Sequence, residues 1–217
     1  GTVPHKRCSG IDPAGVGEAI VRHSITHILL VPTMLHDVFG AVAARHDTSS
    51  LRMIMTGGAT VSVELLDEAA HSFPETRVVQ VYGLTEGGGS VTWVRPHQLA
   101  SKQGSAGAPS THARVRIVGD DGAVAEQGSI GEIEVRAPTL CAGYWDDPAA
   151  TEALFHDGWL RTGDLGRLDG DGVLFVTGRK KELIISGGMN IFPSEIEAVL
   201  ERHPSVRAAA VLGMPDE

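Results

Sequence analysis

The chain has 217 residues, of which 42% are hydrophobic and 21% charged, and its formal net charge is -9. This composition is typical of a folded globular protein, and the negative balance argues against a nucleic-acid partner, which needs clustered Lys and Arg. Cys8 and Cys141 lie far apart and form no C-x-x-C pair, so neither a disulfide framework nor a zinc site is predicted. We expect no transmembrane segment, no signal peptide and a cytoplasmic location.

The first 80 or so residues alternate strand and helix patterns. Strands are predicted over 25–31, 51–56 and 77–81, and helices over 34–45 and after an N-cap at Ser62. Strands separated by helices indicate a parallel sheet with helical cover, which places this part of the chain in the α/β class.

After Gly89 the pattern changes to strands without helices. These are predicted over 90–94, 114–118 and 130–137, and over two hairpin arms, 165–168 and 173–177. Asp-Gly-Asp-Gly at 169–172 supplies the hairpin turn. A calcium loop is the alternative for these carboxylates, but the spacing lacks the third ligand and the terminal Glu of an EF-hand. The pattern predicts a small β-barrel-like subdomain.

A further unit is predicted from Glu182 onwards. It contains a strand over 182–186, a helix opened by Pro193 and Ser194, and a strand over 206–212. We read it as the start of a small α+β C-terminal domain. The predicted domains are therefore 1–89, 90–180 and 181–217.

Two polar motifs flank the predicted hairpin turn, Thr-Gly-Asp at 162–164 and Gly-Arg-Lys-Lys at 178–181. The Asp164 carboxylate can accept hydrogen bonds from both hydroxyls of a ribose, and the planar Arg179 guanidinium can bind a ribose or phosphate oxygen. The alternative is that Asp164 and Arg179 only pair with each other at the turn, because surface ion pairs are common.

A second motif, Val-Gln-Val-Tyr-Gly-Leu-Thr-Glu-Gly-Gly-Gly, occupies residues 79–89. Together with the hairpin it resembles the adenylate-forming enzymes, the superfamily of acyl-CoA synthetases, peptide-synthetase adenylation domains and beetle luciferases. The resemblance covers nearly the whole chain. It implies binding of ATP and Mg²⁺, and chemistry that depends on charge neutralisation and alignment more than on proton transfer.

The resemblance assigns ligand-binding roles within this motif. Tyr82 offers a flat face to adenine, Gly83 allows close approach of the backbone, and Thr85 offers a hydroxyl to a phosphate. Glu86 offers a hard oxygen ligand to Mg²⁺, and Thr85 and Glu86 are expected to act in catalysis. The alternative for Tyr82 is a core aromatic at a strand end.

The resemblance also implies an adenine and acyl pocket at the end of the second strand. The turn formed by Gly57, Gly58 and Ala59 is placed against adenine and the acyl group, where open α/β sheets usually bind ligands. Gln80 aligns with a position that contacts the adenine amino group in relatives.

Three residues near the third predicted domain complete the expected site. Lys181, the third residue expected to act in catalysis, aligns with the hinge about which the small domain of the family rotates between its adenylating and thioester-forming poses. The alternative is a solvated basic turn. Gly187 and Gly188 resemble glycines that line the route of the pantetheine arm of CoA.

The sequences Gly-Arg-Lys-Lys-Glu-Leu-Ile and Gly-Met-Asn-Ile-Phe-Pro-Ser-Glu-Ile-Glu are most similar to free-standing acyl-CoA ligases. We therefore predict that ATP and a carboxylic acid give acyl-AMP, which CoA converts to a thioester. The alternatives are an amino-acid or acyl adenylation enzyme that loads a carrier protein, and a non-catalytic nucleotide-binding relative.

The resemblance places the phosphate loop and the C-terminal catalytic lysine of the family outside this sequence. We expect the chain to be part of a longer enzyme and, alone, at best a weak nucleotide binder. Neither the carboxylic acid nor the oligomeric state is predicted.

Overall fold

The computed structural model describes residues 12–58, 61, 63–94, 101–203, 205–206 and 209–214. The chain divides into two compact units, the first formed by Gly1–Val81 with Arg95–Gly104 and the second by Tyr82–Val94 with Ser105–Glu217. Ala59 and Ser62, which the sequence assigned to a ligand-binding turn and to a helix cap, lie outside the described residues.

The first unit alternates helices and strands as predicted. Its elements are α1 (Pro13–His23), β1 (His27–Leu30), α2 (Pro32–Val42), β2 (Met53–Gly57), α3 (Val63–Ser72) and β3 (Arg77–Leu84), whose last three residues belong to the second unit. β1 pairs with β2 and β2 with β3, both in parallel. The predicted parallel sheet with helical cover is therefore confirmed.

The core of the first unit is aliphatic. It is formed by side chains such as Ile20, Leu35, Val42, Leu51 and Ile54, all of which are at most 1% exposed. Helix α1, which the periodicity did not predict, contributes Ile20. It begins with Asp12, whose carboxylate accepts a hydrogen bond from the Ala14 N–H at 3.1 Å, and with a proline at the first helical position.

The second unit is rich in antiparallel strands. These are β4 (Gly89–Trp93), β5 (Ala108–Pro109), β6 (Arg114–Val118), β7 (Gly131–Arg136), β8 (Phe155–His156), β9 (Trp159–Leu168), β10 (Leu174–Arg179), β11 (Ile184–Ser186) and β12 (Met189–Ile191), with helices α4 (Pro148–Leu154) and α5 (Pro193–Glu201). The main sheet has the order β10-β9-β7-β6, with β8 on β9. β4 pairs with β5, and β11 with β12.

The β9–β10 hairpin forms as expected, and its turn uses its acidic residues locally. The Asp169 carboxylate accepts hydrogen bonds from the N–H groups of Asp171 and Val173, both at 2.9 Å. Such an Asx turn explains the Asp-Gly-Asp-Gly sequence without a bound ion.

Two predictions about the second unit were wrong. Helix α4 interrupts the region expected to lack helices. The described residues of the predicted strand over 206–212 form no strand, because the backbone N–H groups of Ala209 and Val211 donate instead to the carboxylates of Glu201 and Glu197 on α5. No helix in the described ranges is both long and apolar enough to cross a bilayer.

Candidate active site

The site centres on Asp164, which lies on β9 directly opposite Arg179 on β10. One carboxylate oxygen, Oδ1, is 3.4 Å from Arg179 Nε, so the ion pair that the sequence offered as an alternative does form. The other oxygen, Oδ2, accepts a hydrogen bond from the Tyr82 hydroxyl at 2.8 Å. Asp164 is only 9% exposed, whereas Arg179 is largely exposed. Three residues predicted separately as nucleotide ligands are thus in contact.

The electrostatics of this cluster are set by burial. Burial raises the pKa of Asp164, and the Tyr82 hydrogen bond and the Arg179 charge only partly offset it. Burial also raises the pKa of Tyr82, and the neighbouring Asp164 charge raises it further. The Tyr82 hydroxyl therefore keeps its proton at neutral pH and acts as the donor.

The end of β3 brings Tyr82 and Gly83 to this cluster. Tyr82 is partly buried and packs against the hydrophobic core of the second unit, which includes Ile133 and Leu160. This position fits the alternative of a core aromatic, while the Tyr82 hydroxyl reaches Asp164. A Cβ at Gly83 would overlap the carbonyl oxygen of Gly89. The absence of a side chain at Gly83 is therefore already required by the neighbouring backbone.

Thr85 and Glu86 follow in a short 3₁₀ turn, Thr85–Gly87. Thr85 is exposed and Glu86 is half-buried. The Tyr144 hydroxyl donates a 2.6 Å hydrogen bond to Glu86 Oε1. This hydrogen bond lowers the pKa of Glu86 and raises the pKa of Tyr144. The Glu86 carboxylate is consequently ionised at neutral pH.

A cavity of about 420 Å³ joins these groups within the second unit. Its lining includes Gly83, Glu86, Tyr144, Asp164 and Arg179. The volume lies within the range of small-molecule sites. More than half of the lining residues are polar or charged, which suits a charged ligand. The structure therefore gathers the hairpin motif and the 79–89 motif around one opening.

Glu132 and Arg161 also line this cavity, and the sequence did not single them out. Glu132 is buried, and its Oε2 accepts hydrogen bonds from Arg161 Nη2 and Lys180 Nζ, each at 3.0 Å. Burial alone would raise the pKa of Glu132, but these hydrogen bonds outweigh it and lower the pKa. The alternating sequence of β7 gave no signal for this burial, because charged residues in such a pattern are normally assigned to the solvent face.

Magnesium was expected on Glu86. No group of three or more His, Cys, Asp or Glu side chains able to hold a metal ion occurs among the residues that the structure describes. A single carboxylate still fits Mg²⁺, which is commonly bound by one or two carboxylates together with substrate phosphates and waters. Glu86 Oε1 is engaged by Tyr144, and Oε2 is the oxygen that would serve such an ion.

The remaining predicted residues lie in several places. Lys181 is exposed in the 3₁₀ turn Lys180–Glu182 and lines a second cavity of about 390 Å³ with Thr162 and Arg179. Gly187 and Gly188 form the exposed turn between β11 and β12.

In the first unit, Gly57 is the last residue of β2 and Gly58 follows it. Gln80, on β3, lies opposite Thr56 on β2. The hydroxyl of Thr56 is fully buried and has no hydrogen-bond partner in the described parts of the chain.

Comparison with known proteins identifies the family. Residues 3–145 match the model of the AMP-binding enzyme family. Indoleacetate–CoA ligase of Aromatoleum aromaticum is 44% identical over 92% of this chain and 39% of its own length. For 2-succinylbenzoate–CoA ligase of Bacillus subtilis the identity is 40%, over 99% of this chain and 43% of the relative. The chain thus spans about two fifths of the length of these relatives.

Solved structures agree with this assignment. O-succinylbenzoate CoA synthetase from Bacillus subtilis, in complex with ATP and magnesium ion, superposes with a TM-score of 0.86 at 39% identity, over 95% of this chain and 42% of that one. The amide bond synthetase McbA from Marinactinospora thermotolerans gives 0.86 at 37% identity over the same shares. The predicted membership is confirmed: the chain belongs to the AMP-binding enzyme family, and its relatives include acyl-CoA ligases.

Proposed function

We propose that this chain is the part of an ATP-dependent acyl-CoA ligase that holds the nucleotide during adenylation of a carboxylic acid. The observation that carries the proposal is the Asp164 carboxylate, nearly buried at a polar cavity and contacted by Tyr82 and Arg179. The ligase names of the relatives support the reaction class. The complete enzyme would use ATP, Mg²⁺ and CoA.

Asp164 is the ribose ligand in this proposal. Its carboxylate has about four acceptor positions, and the protein fills one with the Tyr82 hydroxyl and leaves Arg179 at the longer distance of 3.4 Å. The 2′ and 3′ hydroxyls of a ribose would donate to the remaining positions. The exposed Arg179 guanidinium is free to turn toward a ribose or phosphate oxygen.

Adenylation joins two anions, so the main demand is charge neutralisation and alignment. A carboxylate oxygen of the acid attacks the α-phosphorus of ATP, and the bond to the pyrophosphate oxygen breaks. Thr85 would donate its exposed hydroxyl to a phosphate, and Glu86 would hold Mg²⁺. The ion would supply positive charge to the phosphate oxygens.

Thioester formation is the second half of the proposed reaction. The sulfur of CoA attacks the acyl carbonyl carbon, the bond to AMP breaks, and the thiol proton is released. We place the pivot for this step at Lys181, beside the proposed domain boundary at residues 180 and 181, and the route of the pantetheine arm at Gly187 and Gly188. The exposed position of these residues is compatible with both roles.

A different acceptor is the second candidate function. One solved structure with the same fold is that of an amide bond synthetase, and this similarity supports an amine as the alternative acceptor. An amine would attack the same acyl carbonyl carbon and release AMP, with no change in the nucleotide site. A carrier-protein thiol remains the third acceptor to be tested.

The decisive experiment uses the full-length protein. Pyrophosphate exchange with a panel of aryl, indolyl and fatty acids tests adenylation, and AMP release with CoA, a carrier protein or an amine identifies the acceptor. We expect exchange with at least one acid and AMP release that depends on CoA. ATP binding without exchange for any acid would contradict the enzymatic proposal, and release with the carrier or amine alone would contradict the CoA assignment.

Two further expectations belong to the same proposal. The 217-residue chain alone should bind ATP weakly and release no AMP, which calorimetry and an AMP assay can check. We also expect a cytoplasmic location, and fractionation of cells containing the native protein would test it.

A further inference from the structure

A short segment at residues 139–144 lies along the motif turn that carries Glu86. Its Thr139 hydroxyl donates to the Gly87 carbonyl oxygen at 2.9 Å, and its Cys141 N–H donates to the Glu86 carbonyl oxygen at 2.8 Å. The Tyr144 hydroxyl then reaches the Glu86 carboxylate at 2.6 Å. Two contacts therefore fix the backbone of the turn, and the third fixes the side chain of Glu86.

Tyr144 is itself held in place from the other side. Its backbone N–H donates to the Thr151 hydroxyl oxygen at 2.9 Å, and that hydroxyl donates to the Asp147 carbonyl oxygen at 2.8 Å. Asp147 caps helix α4 by accepting a hydrogen bond from the Ala150 N–H at 2.9 Å. A Cβ at Gly143 would overlap the Thr151 side chain, so this approach is close. The Tyr144 hydroxyl is thus presented from an anchored backbone.

We infer that Tyr144 is a positioning residue for the Glu86 carboxylate, holding one oxygen so that the other is aimed at a divalent cation bound with ATP. The inference rests on the proposed function, in which Glu86 is the magnesium ligand. Groups that hydrogen-bond to a metal ligand orient it and tune its affinity for the ion. In the proposed function Glu86 is the carboxylate assigned to the ion among the described residues, so its orientation should affect the affinity for the ion directly.

The expected size of the effect follows from the environment of the pair. A hydroxyl that donates to a carboxylate makes a short, charge-assisted hydrogen bond, as the 2.6 Å distance indicates. Tyr144 is 42% exposed, so water competes for the carboxylate. Loss of the hydroxyl should therefore weaken cation binding about tenfold, the lower end of the range for groups that support a metal ligand.

The test measures Mn²⁺ binding to the full-length protein, saturated with ATP and without carboxylic acid, by electron paramagnetic resonance. Tyr144→Phe removes only the hydroxyl and should weaken Mn²⁺ binding about tenfold. Metal-free AMP binding and the thermal unfolding temperature should not change. Trp145→Phe is the matched control, because Trp145 is the next residue, is 98% exposed and is not expected to affect Mn²⁺.

Glu86→Gln separates this inference from the proposed function. If Glu86→Gln weakens Mn²⁺ binding and Tyr144→Phe does not, the inference is wrong and the role of Glu86 stands. If neither variant changes Mn²⁺ binding, the proposed metal ligand is wrong as well. If both weaken it, Tyr144→Phe should add no further loss in the Glu86→Gln background. An additive loss, or a parallel loss of metal-free AMP binding, would overturn positioning through Glu86.

Discussion

The antiparallel sheet of the second unit holds carboxylates in two different situations. Glu132 and Glu134 belong to an ion-pair network in which Arg116 Nη2 lies 2.6 Å from Glu134, while Arg161 and Lys180 each lie 3.0 Å from Glu132. Asp164, on the adjacent strand β9, has Arg179 at 3.4 Å. All three carboxylates are at least nine-tenths buried. The same sheet thus supplies close cations to two carboxylates and a weaker partner to the third.

The pKa directions express this difference. The pKa of Glu132 is lowered, because hydrogen bonds from Arg161 and Lys180 outweigh its burial. The pKa of Asp164 is raised, because burial outweighs the contacts with Tyr82 and Arg179. Glu132 is therefore satisfied by the fold, whereas Asp164 retains capacity for donors from a ligand. The proposed binding residue is distinguished less by its burial than by its lack of close hydrogen-bond donors and cations from the protein.

The largest expected effect concerns Asp164, the carboxylate proposed to bind the ligand. Asp164→Ala in the full-length protein should raise the ATP requirement about 10- to 100-fold, because the ribose hydroxyls lose a charged acceptor that contributes roughly 1.5–3 kcal/mol. Adenylation kinetics at varied ATP would measure it. The unfolding temperature should fall only slightly, because loss of the acceptor for Tyr82 is partly offset by removal of a buried charge. An unchanged ATP requirement would remove Asp164 from the site and make it a structural carboxylate like Glu134.

Glu134→Gln tests the other kind of carboxylate, the one that is paired within the ion-pair network. Glu134 accepts hydrogen bonds from Arg116, whose guanidinium also lies over the Trp159 ring at 4.4 Å. Removing one partner of a buried ion pair costs several kcal/mol, and we expect about 2 kcal/mol here, because the Arg116 side chain is 23% exposed.

Denaturant unfolding of the full-length protein measures this loss. Arg167→Gln is a suitable control, because Arg167 stacks over Phe175 on the same sheet and leaves the Glu134 pair intact. A Glu134→Gln variant of normal stability but impaired ATP use would reverse the comparison.

A third test uses the two adjacent lysines at the end of the hairpin. Lys180 is tied to Glu132 in the network, whereas Lys181 is exposed in the next position. Lys181→Pro fixes one backbone dihedral. It should slow thioester formation about tenfold, equivalent to ~1.4 kcal/mol of barrier, and spare adenylation.

Separate assays of the two half-reactions in the full-length protein would check this prediction. Lys181→Ala, which keeps the backbone free, is the control and should behave like the wild type in both. Equal losses in the two half-reactions of Lys181→Pro would argue against a pivot at this position.

The sequence predicted the parts of this site that are local. The hairpin arms and their Asp-Gly turn set the register as far as Val176, and a bulge between Val176 and Gly178 then places Arg179 opposite Asp164. The regular alternation of strands and helices likewise predicted the parallel sheet. Helices α1 and α4 were not predicted, although each begins at the proline of an Asp-Pro pair, at 12–13 and 147–148. In both pairs the Asp supplies the cap and the Pro is the first helical residue.

The parts that were missed depend on contacts between distant segments. Tyr144 meets Glu86 across 58 positions of sequence, and Arg161 meets Glu132 across 29. No periodicity encodes such pairs, because they follow from how loops and strands pack. The wrongly predicted strand at 206–212 has the same origin. Its apolar residues are typical of a strand, but two of its backbone N–H groups donate to carboxylates of α5. Only the structure shows which carboxylates have their cations nearby.

The smallest expected effect is on stability as a function of pH. A group whose folded pKa is raised contributes stability at pH values below its unfolded pKa and loses it as the pH rises through the folded value. The contribution of Asp164 to stability therefore falls as the pH rises from strongly acidic to neutral. Asp164→Asn keeps an acceptor for Tyr82 and removes the charge, so it should be slightly more stable than the wild type at neutral pH. This gain should disappear on acidification.

Unfolding temperatures of the full-length protein between pH 3 and pH 7 would measure the effect. Glu132→Gln is the matched control with the opposite sign, because the pKa of Glu132 is lowered and its contribution is present at neutral pH and lost in acid. Asp164→Asn should thus gain stability, and Glu132→Gln should lose it, as the pH rises. If both variants shifted in the same direction, the two carboxylates would be equally satisfied by the fold. The distinction between a network carboxylate and a ligand-binding one would then have no physical basis.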